Sequence, residues 1–296
     1  MQHEFLQRGG QFLYAGDSYS LADWVMFGIP MDWTTSFRPG ARMAPARIRE
    51  VSQMGMEWYS PTAQRSLEDL CFYDAGDVDV VIGDVEKTLR RVRQVADVLL
   101  ADGKRTLAIG GEHLVSLPLI QAAAHRHPDL VVLHFDAHTD LRQEFFGNRL
   151  SHATVLRHAY ESLRPGHLYQ FGIRSGDRDE FAWAAEHIHQ YRDEVLEPLR
   201  SCLKELQGYP IYITLDIDVM DPAYAPGTGT PEAGGISSLE MLRAIRAMSD
   251  LQVVGMDLVE VSPLVDADGR TSVLAAKIIR EALLEFRGEG ENRSNG

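Results

Sequence analysis

Short apolar runs alternate along this chain with longer stretches of helical periodicity, and a chain built that way folds as βα units around a mainly parallel sheet. The runs predicted as strands are Trp24–Ile29, Leu70–Tyr73, Arg105–Ile109, Leu130–Phe135, Leu168–Ile173, Ile211–Leu215 and Gln252–Met256. Between them Asp84 reads as an N-cap, and Val85, Leu89, Val92, Ala96 and Leu99 share one helical face before Gly103 ends it. Further helices are predicted over Ala44–Met54, Leu114–Arg126, Asp177–Glu186, Glu194–Leu206, Ser238–Met248 and Ser272–Phe286. A length of 296 residues suits one α/β domain, expected over residues 1–286. The closing segment RGEGENRSNG, residues 287–296, has no apolar anchor and is expected to be disordered.

Two stretches should be irregular, because Gly and Pro forbid regular structure: Asp32–Met43, with Arg38-Pro39-Gly40, and Asp221–Gly235, which reads DPAYAPGTGTPEAGG. Loops beside the ends of parallel strands are where ligands bind in open α/β sheets, so both are candidate pocket walls. Charge narrows the class of ligand. Asp and Glu number 43 against 29 Lys and Arg, and the net of −14 repels nucleic acid while concentrating cations. Cys71 and Cys202 are too few for a disulfide framework and suit a reducing cytoplasm. Neither the opening MQHEFLQRGGQF nor any apolar run has the form of a signal peptide or membrane span, so a cytoplasmic protein without membrane partners is expected.

Three predicted strands end in residue types that can ligate metals. Asp136, His138 and Asp140 follow Leu130–Phe135 two apart, a spacing that puts all three on one side of an extended chain. Asp216 and Asp218 follow Ile211–Leu215 at the same spacing, and Arg105–Ile109 ends in Gly110-Gly111-Glu112-His113, whose glycines allow close backbone approach. Taken singly, each Asp reads as a turn residue and each His as a core group. Capping has no use for the periodicity, however, and carboxylates crowded at the mouth of a sheet repel one another unless a cation sits among them. Four aspartates and two histidines exceed the needs of one ion but suit two ions that share bridging carboxylates. Oxygen-rich ligation with imidazole and no thiolate suits Mn²⁺ better than Zn²⁺ or copper, and ligand type alone leaves iron or cobalt open. His134 shares the spacing but lies deeper in its strand, where a supporting role is expected. Glu260, at the tip of Gln252–Val259, is placed to hold a cationic substrate, and His152 in LSHAT to move a proton.

Together, GGEH at 110–113, DAHTD at 136–140, DIDVMDP at 216–222 and DLVEVSP at 257–263 resemble the signature set of the ureohydrolase family, the arginases and agmatinases. The likeness runs from about Asp23 to Phe286 and is strongest to bacterial agmatinases, through MDWTTSFRPGAR, LSHAT, FGIRSG and APGTGTPEAGG. It departs at Ala153, where many relatives carry Gly or Ser. The resemblance implies a three-layer α/β/α sandwich with a mainly parallel sheet of about eight strands, two Mn²⁺ per subunit, and hydrolysis of a guanidinium compound to urea and an amine. It implies His113, Asp136, Asp140 and Asp216 as ligands of one ion and Asp136, His138, Asp216 and Asp218 as ligands of the other. It also implies a homo-oligomer, trimer or hexamer, with Glu260 holding the guanidinium and His152 relaying protons.

Where arginases carry Asn-Leu-His-Gly to hold an amino-acid end, this chain has Arg149-Leu150-Ser151-His152, which points to a decarboxylated substrate such as agmatine. Asp177, Glu180 or Glu232 are candidates to seat its distal ammonium. The chemistry expected is attack by metal-activated hydroxide, with Asp140 passing a proton to the leaving amine. Guanidinobutyrate and other guanidino acids are the alternative substrates. A binuclear phosphoesterase would want an Arg or Lys clamp and lacks support in the acidic surroundings. A metal-binding protein without catalysis would have no need of Glu260 and His152 beside the ligands.

Overall fold

The protein is described here by a computed structural model covering residues 4–7 and 9–286, so the segment 287–296 lies outside the described residues. Its strands are β1 Leu6–Gln7, β2 Trp24–Gly28, β3 Tyr59–Ser60, β4 Arg65–Ser66, β5 Phe72–Val78 and β6 Arg105–Ile109. They continue with β7 Val131–Phe135, β8 Leu168–Ile173, β9 His189–Arg192, β10 Pro210–Asp216 and β11 Gln252–Val259. The helices are α1 Ala44–Met54, α2 Val85–Ala101, α3 Ser116–Arg126, α4 Val155–Tyr160, α5 Arg178–His187, α6 Leu196–Leu206, α7 Ser238–Ala247 and α8 Arg270–Glu285.

Nine strands make one sheet in the order β1-β5-β2-β6-β11-β10-β7-β8-β9, parallel except for the β1–β5 pair. β3 and β4 form a separate antiparallel hairpin. The seven predicted strands are the seven inner ones, whose central members are buried along their whole length and therefore read as apolar runs. The two edge strands escape that signal: β1 has two residues, and β9 is the polar HQYR, half-exposed. β5 extends past Tyr73 to Val78 with alternating burial, and its buried Asp74 is neutralised by Arg49 at 2.8 Å.

The sheet separates two apolar layers. Ile48 of α1, Leu199 of α6, Ile245 of α7 and Ile279 of α8 pack with Met26, Leu107, Leu133 and Ile213 on one face. Val92 of α2, Ile120 of α3, Leu156 of α4 and Ala184 of α5 pack with Val25, Phe27, Val132 and Tyr212 on the other. This is the three-layer α/β/α sandwich. The chain runs from β6 to β7 across two vacant places and later fills them with β10 and β11. Loops leaving β6 and β7 therefore diverge over a crevice at the carboxyl ends of the central strands, where ligands bind in open α/β sheets.

Backbone packing brings the loops together there. Gly111 passes so close to Met31 that a Cβ would lie 1.8 Å from its carbonyl oxygen, and the Glu112 N–H donates to that oxygen at 2.8 Å. Of the stretch expected to be irregular before α1, only Ala41–Met43 forms a 3-10 turn, and the stretch 221–235 contains no helix or strand. No described helix is long and apolar enough to cross a membrane.

Candidate functional site

β6, β11, β10 and β7 are neighbours in the sheet, and their carboxyl ends deliver His113, Glu260, the Asp216 and Asp218 pair, and Asp136 through Asp140 to one place. The convergence is not that of an extended comb. β7 ends at Phe135, Asp140 lies in left-handed backbone with φ 51°, and Asp218 sits in a 3-10 turn capped by Asp216. Three aspartates use the same device: one oxygen accepts a backbone N–H while the other turns inward. Asp136 Oδ1 accepts from His138 at 2.6 Å, Asp216 Oδ1 from Asp218 at 2.8 Å, and Asp218 Oδ1 from Ala137 at 3.1 Å.

The inward oxygens surround the imidazoles. His113 Nδ1 lies 3.1 Å from Asp136 Oδ2, 3.1 Å from Asp140 Oδ2 and 3.4 Å from Asp216 Oδ2. His138 Nδ1 lies 3.0 Å from Asp218 Oδ2 and 3.5 Å from Asp136 Oδ1, so Asp136 faces both groups. Yet buried His113 Nδ1 and Asp218 Oδ2 have no hydrogen-bond partner, and donors that converge without bonding to one another suit a shared cation. His113 is oriented from behind. The Thr214 hydroxyl donates to Asp257 at 2.7 Å and so accepts from His113 Nε2 at 2.9 Å, which leaves Nδ1 as the ring nitrogen facing the carboxylates. The donor set, carboxylates and imidazoles without thiolate, fits a pair of hard to intermediate divalent ions such as Mn²⁺.

His134 also approaches Asp136, at 2.8 Å, and with His113 and Asp136 forms a possible ligand trio. Its neighbours argue for a supporting role. The Gln170 amide donates to His134 Nδ1 and to the Thr139 carbonyl while its oxygen accepts from Gln190, which leaves His134 Nε2 as the donor to Asp136. A nitrogen carrying that proton has no lone pair for a metal.

Burial of so many charges shifts their titration. Burial, reinforced by Asp218 and Asp136, holds the Asp216 carboxyl well above the usual range, and burial with Asp136 beside it lifts Asp140 to about 7. Burial and Glu112 raise Glu260 to about 8. Against the opposing effect of burial, the surrounding carboxylates hold His113 and His138 well above 6.5, while His134, His113 and His138 keep Asp136 ionised. His152 is pushed by burial to about 4 and is neutral at physiological pH.

A cavity of about 200 Å³ opens above the cluster, with His113, Asp140, Asp216 and Glu260 among its lining. Glu260 Oε1 accepts the His113 backbone N–H at 2.7 Å, and its backbone, with φ 61°, bonds to Gly111. Non-glycine residues in left-handed backbone cost energy and cluster at functional sites, and Asp140 and Glu260 are two of them. His152 faces the cavity from a 3-10 turn; its N–H donates to Thr34 Oγ1 at 3.0 Å and its Nε2 lies 3.3 Å from Ser36 Oγ. Ser36 and Thr230 bring both irregular loops to the wall, and Arg38 ties those loops together by donating to the Thr228 and Gly229 carbonyls.

Asp177 and Glu232 do not line this cavity. Asp177 caps α5 and pairs with Arg142 at 3.1 Å, and the contact made by Glu232 is through its backbone carbonyl, to Arg174. Glu180 does line it, but its oxygens accept from Thr139, Leu141 and Asp177. A larger cleft, about 1170 Å³, lies around Arg49, whose guanidinium is already satisfied by Asp74, Asp77 and the Gly76 carbonyl. Residues that sequence reasoning passed over are Thr214, Asp257, Glu112 and Arg142. Thr214 carried a signal, since it shares the period-two face of Asp216 within an otherwise apolar strand.

A model of the arginase family matches residues 22–285. An agmatinase of Bacillus subtilis (strain 168) is 48% identical over 289 residues, 97% of this chain and 99% of that protein. Among solved structures, the agmatine ureohydrolase of Thermoplasma volcanium superposes with a TM-score of 0.86 at 33% identity, covering 95% of each chain. The proclavaminate amidino hydrolase of Streptomyces clavuligerus superposes with a TM-score of 0.82 at 35% identity, covering 90% of this chain and 92% of that one.

Proposed function

We propose that this chain, which belongs to the arginase family and is a ureohydrolase of the agmatinase type, cleaves agmatine with water to give urea and putrescine, using two Mn²⁺. The observation that carries the reading is the convergence of four buried aspartates, buried His113 and partly exposed His138 from the ends of β6, β7 and β10, with unpartnered His113 Nδ1 and Asp218 Oδ2 beneath a cavity that Glu260 overlooks. His113, Asp136, Asp140 and Asp216 would hold one ion, and Asp136, His138, Asp216 and Asp218 the other. Bound there, the ions would supply hydroxide at neutral pH by lowering the pKa of water from ~15.7 towards ~7.

The chain's own groups do the rest. Glu260 accepts charge-assisted hydrogen bonds from the planar guanidinium and turns its carbon towards the cluster; a substrate cation draws the Glu260 proton off, because opposite charge favours the ionised form. Asp140 takes the proton of the hydroxyl added to the guanidinium carbon and passes it to the departing nitrogen as the C–N bond breaks. Neutral His152, in contact with Ser36, carries to solvent the other proton, the one that the water loses on becoming hydroxide. Residues 1–286 act as one catalytic domain within a cytoplasmic homo-oligomer.

Urea release from agmatine, arginine and 4-guanidinobutyrate by manganese-loaded protein tests the proposal. Agmatine should give the highest kcat/KM, and metal-loaded protein that releases urea from none of the three would reject it. A guanidino acid is the second reading, and Arg142 in the cavity wall is the observation that favours it.

A further inference from the structure

We propose that Arg142 sets which terminal charge the cavity accepts on a guanidino substrate; the inference rests on the ureohydrolase reading. Arg142 follows Asp140 by two residues and lines the cavity above the cluster. It also lines a neighbouring cleft of about 420 Å³ that contains Asp177, and with Glu180, which lines both, it stands between the two. Three contacts hold it: Nη1 lies 3.1 Å from Asp177 Oδ2, Nε lies 3.5 Å from Glu180 Oε2, and the guanidinium sits 5.0 Å from the Phe145 ring centre.

An arginine facing a dicationic substrate would oppose binding if it stood alone. Here two carboxylates compensate one guanidinium, so the wall carries a net charge of about −1. Glu180 is buried and saturated by three donors besides Arg142, and it cannot turn away. Asp177 is half-exposed and caps α5 through its other oxygen. The balance is thus one charge deep. With Asp177 in place, Arg142 is engaged and the wall favours an ammonium. Without that charge the wall is neutral, Nη1 is released, and the guanidinium fork offers paired donors to a carboxylate. Terminal-charge selectivity therefore resides in how Arg142 is held.

The test compares kcat/KM for agmatine, 4-guanidinobutyrate and butylguanidine, whose tails are cationic, anionic and neutral, in the manganese-loaded wild type and two variants. Asp177→Asn keeps the helix cap, because Asn caps as well as Asp, and should raise the guanidinobutyrate-to-agmatine ratio by ~10-fold or more. Arg142→Gln should lower that ratio by ~10-fold or more, since both carboxylates then lose their compensating charge. Butylguanidine should change less than ~3-fold in either variant, and Arg142→Lys, which keeps the charge, should leave the ratio within ~3-fold of wild type. A ratio unmoved in both charge-changing variants, or butylguanidine falling in step with the charged substrates, would overturn the proposal. Wild-type protein that releases urea from none of the three removes the ureohydrolase reading and this inference with it.

Discussion

Titrating Mn²⁺ into metal-free protein at pH 6.5 should release at least three protons per subunit. The number comes from the cluster. Carboxylates at 3.0 to 3.5 Å hold the His113 and His138 imidazoles protonated above their ordinary 6.5, and burial beside Asp136 puts Asp140 at about 7. Each must shed its proton before it can ligate, Asp216 adds to the total because it too is raised, and Asp136 adds nothing because it is already ionised. Since protons and metal compete for the same lone pairs, affinity rises with pH. Three protons correspond to ~10³ in affinity, or ~4 kcal/mol, over the first pH unit above 6.5, and the slope flattens as the cluster deprotonates. Isothermal titration calorimetry in two buffers of different ionisation enthalpy measures the protons directly. Release of fewer than one proton, or an affinity flat between pH 6 and 8, would refute the claim that these residues form one cation-dependent cluster.

Glu260→Gln removes the charge that meets the guanidinium and should lower kcat/KM by ~10²- to 10³-fold; steady-state kinetics that show less than a fivefold loss would exclude Glu260 as the guanidinium seat. The same variant, free of a carboxyl held at about 8 in the fold against an ordinary 4.5, should be no less stable than wild type at pH 9 in the metal-free state, because the Glu260 charge costs stability as pH rises through that range. Gly111→Ala sets a Cβ 1.8 Å from the Met31 carbonyl oxygen and should cost more than ~3 kcal/mol in urea denaturation or abolish soluble expression. Thr214→Val leaves His113 Nε2 and Asp257 without their hydroxyl and should weaken manganese binding by ~10- to 100-fold; unchanged affinity would show that the imidazole needs no such partner.

Much of the architecture was legible along the chain because full burial writes itself as an apolar run. Val131–Phe135 and Leu168–Ile173 are buried at every position, and both were readable as strands. β9 was not, since an edge strand such as HQYR shows water too much of its surface to look apolar. The ligand candidates were legible as a spacing, Asp136-x-His138-x-Asp140 and Asp216-x-Asp218, but the geometry that gathers them is a left-handed residue and a 3-10 turn, not an extended comb. Asp177 illustrates the converse: its acidity was visible, while its engagement as a helix cap and partner of Arg142 was not.

Periodicity, turn chemistry and residue type are local properties, and they alone determined the alternating α/β layout, the irregular loops and the inventory of carboxylates and imidazoles. Which strands became neighbours is not local. Inserting β11 and β10 between β6 and β7 places Glu260 against the His113 backbone across 147 residues and Asp257 behind His113 through Thr214. The titration of each acid follows from those neighbours and from the water they exclude, because Coulomb energy and desolvation depend on distance in space rather than along the chain. Tertiary structure therefore decided that six scattered side chains share one charge problem, and that Arg142 stands in the wall beside them.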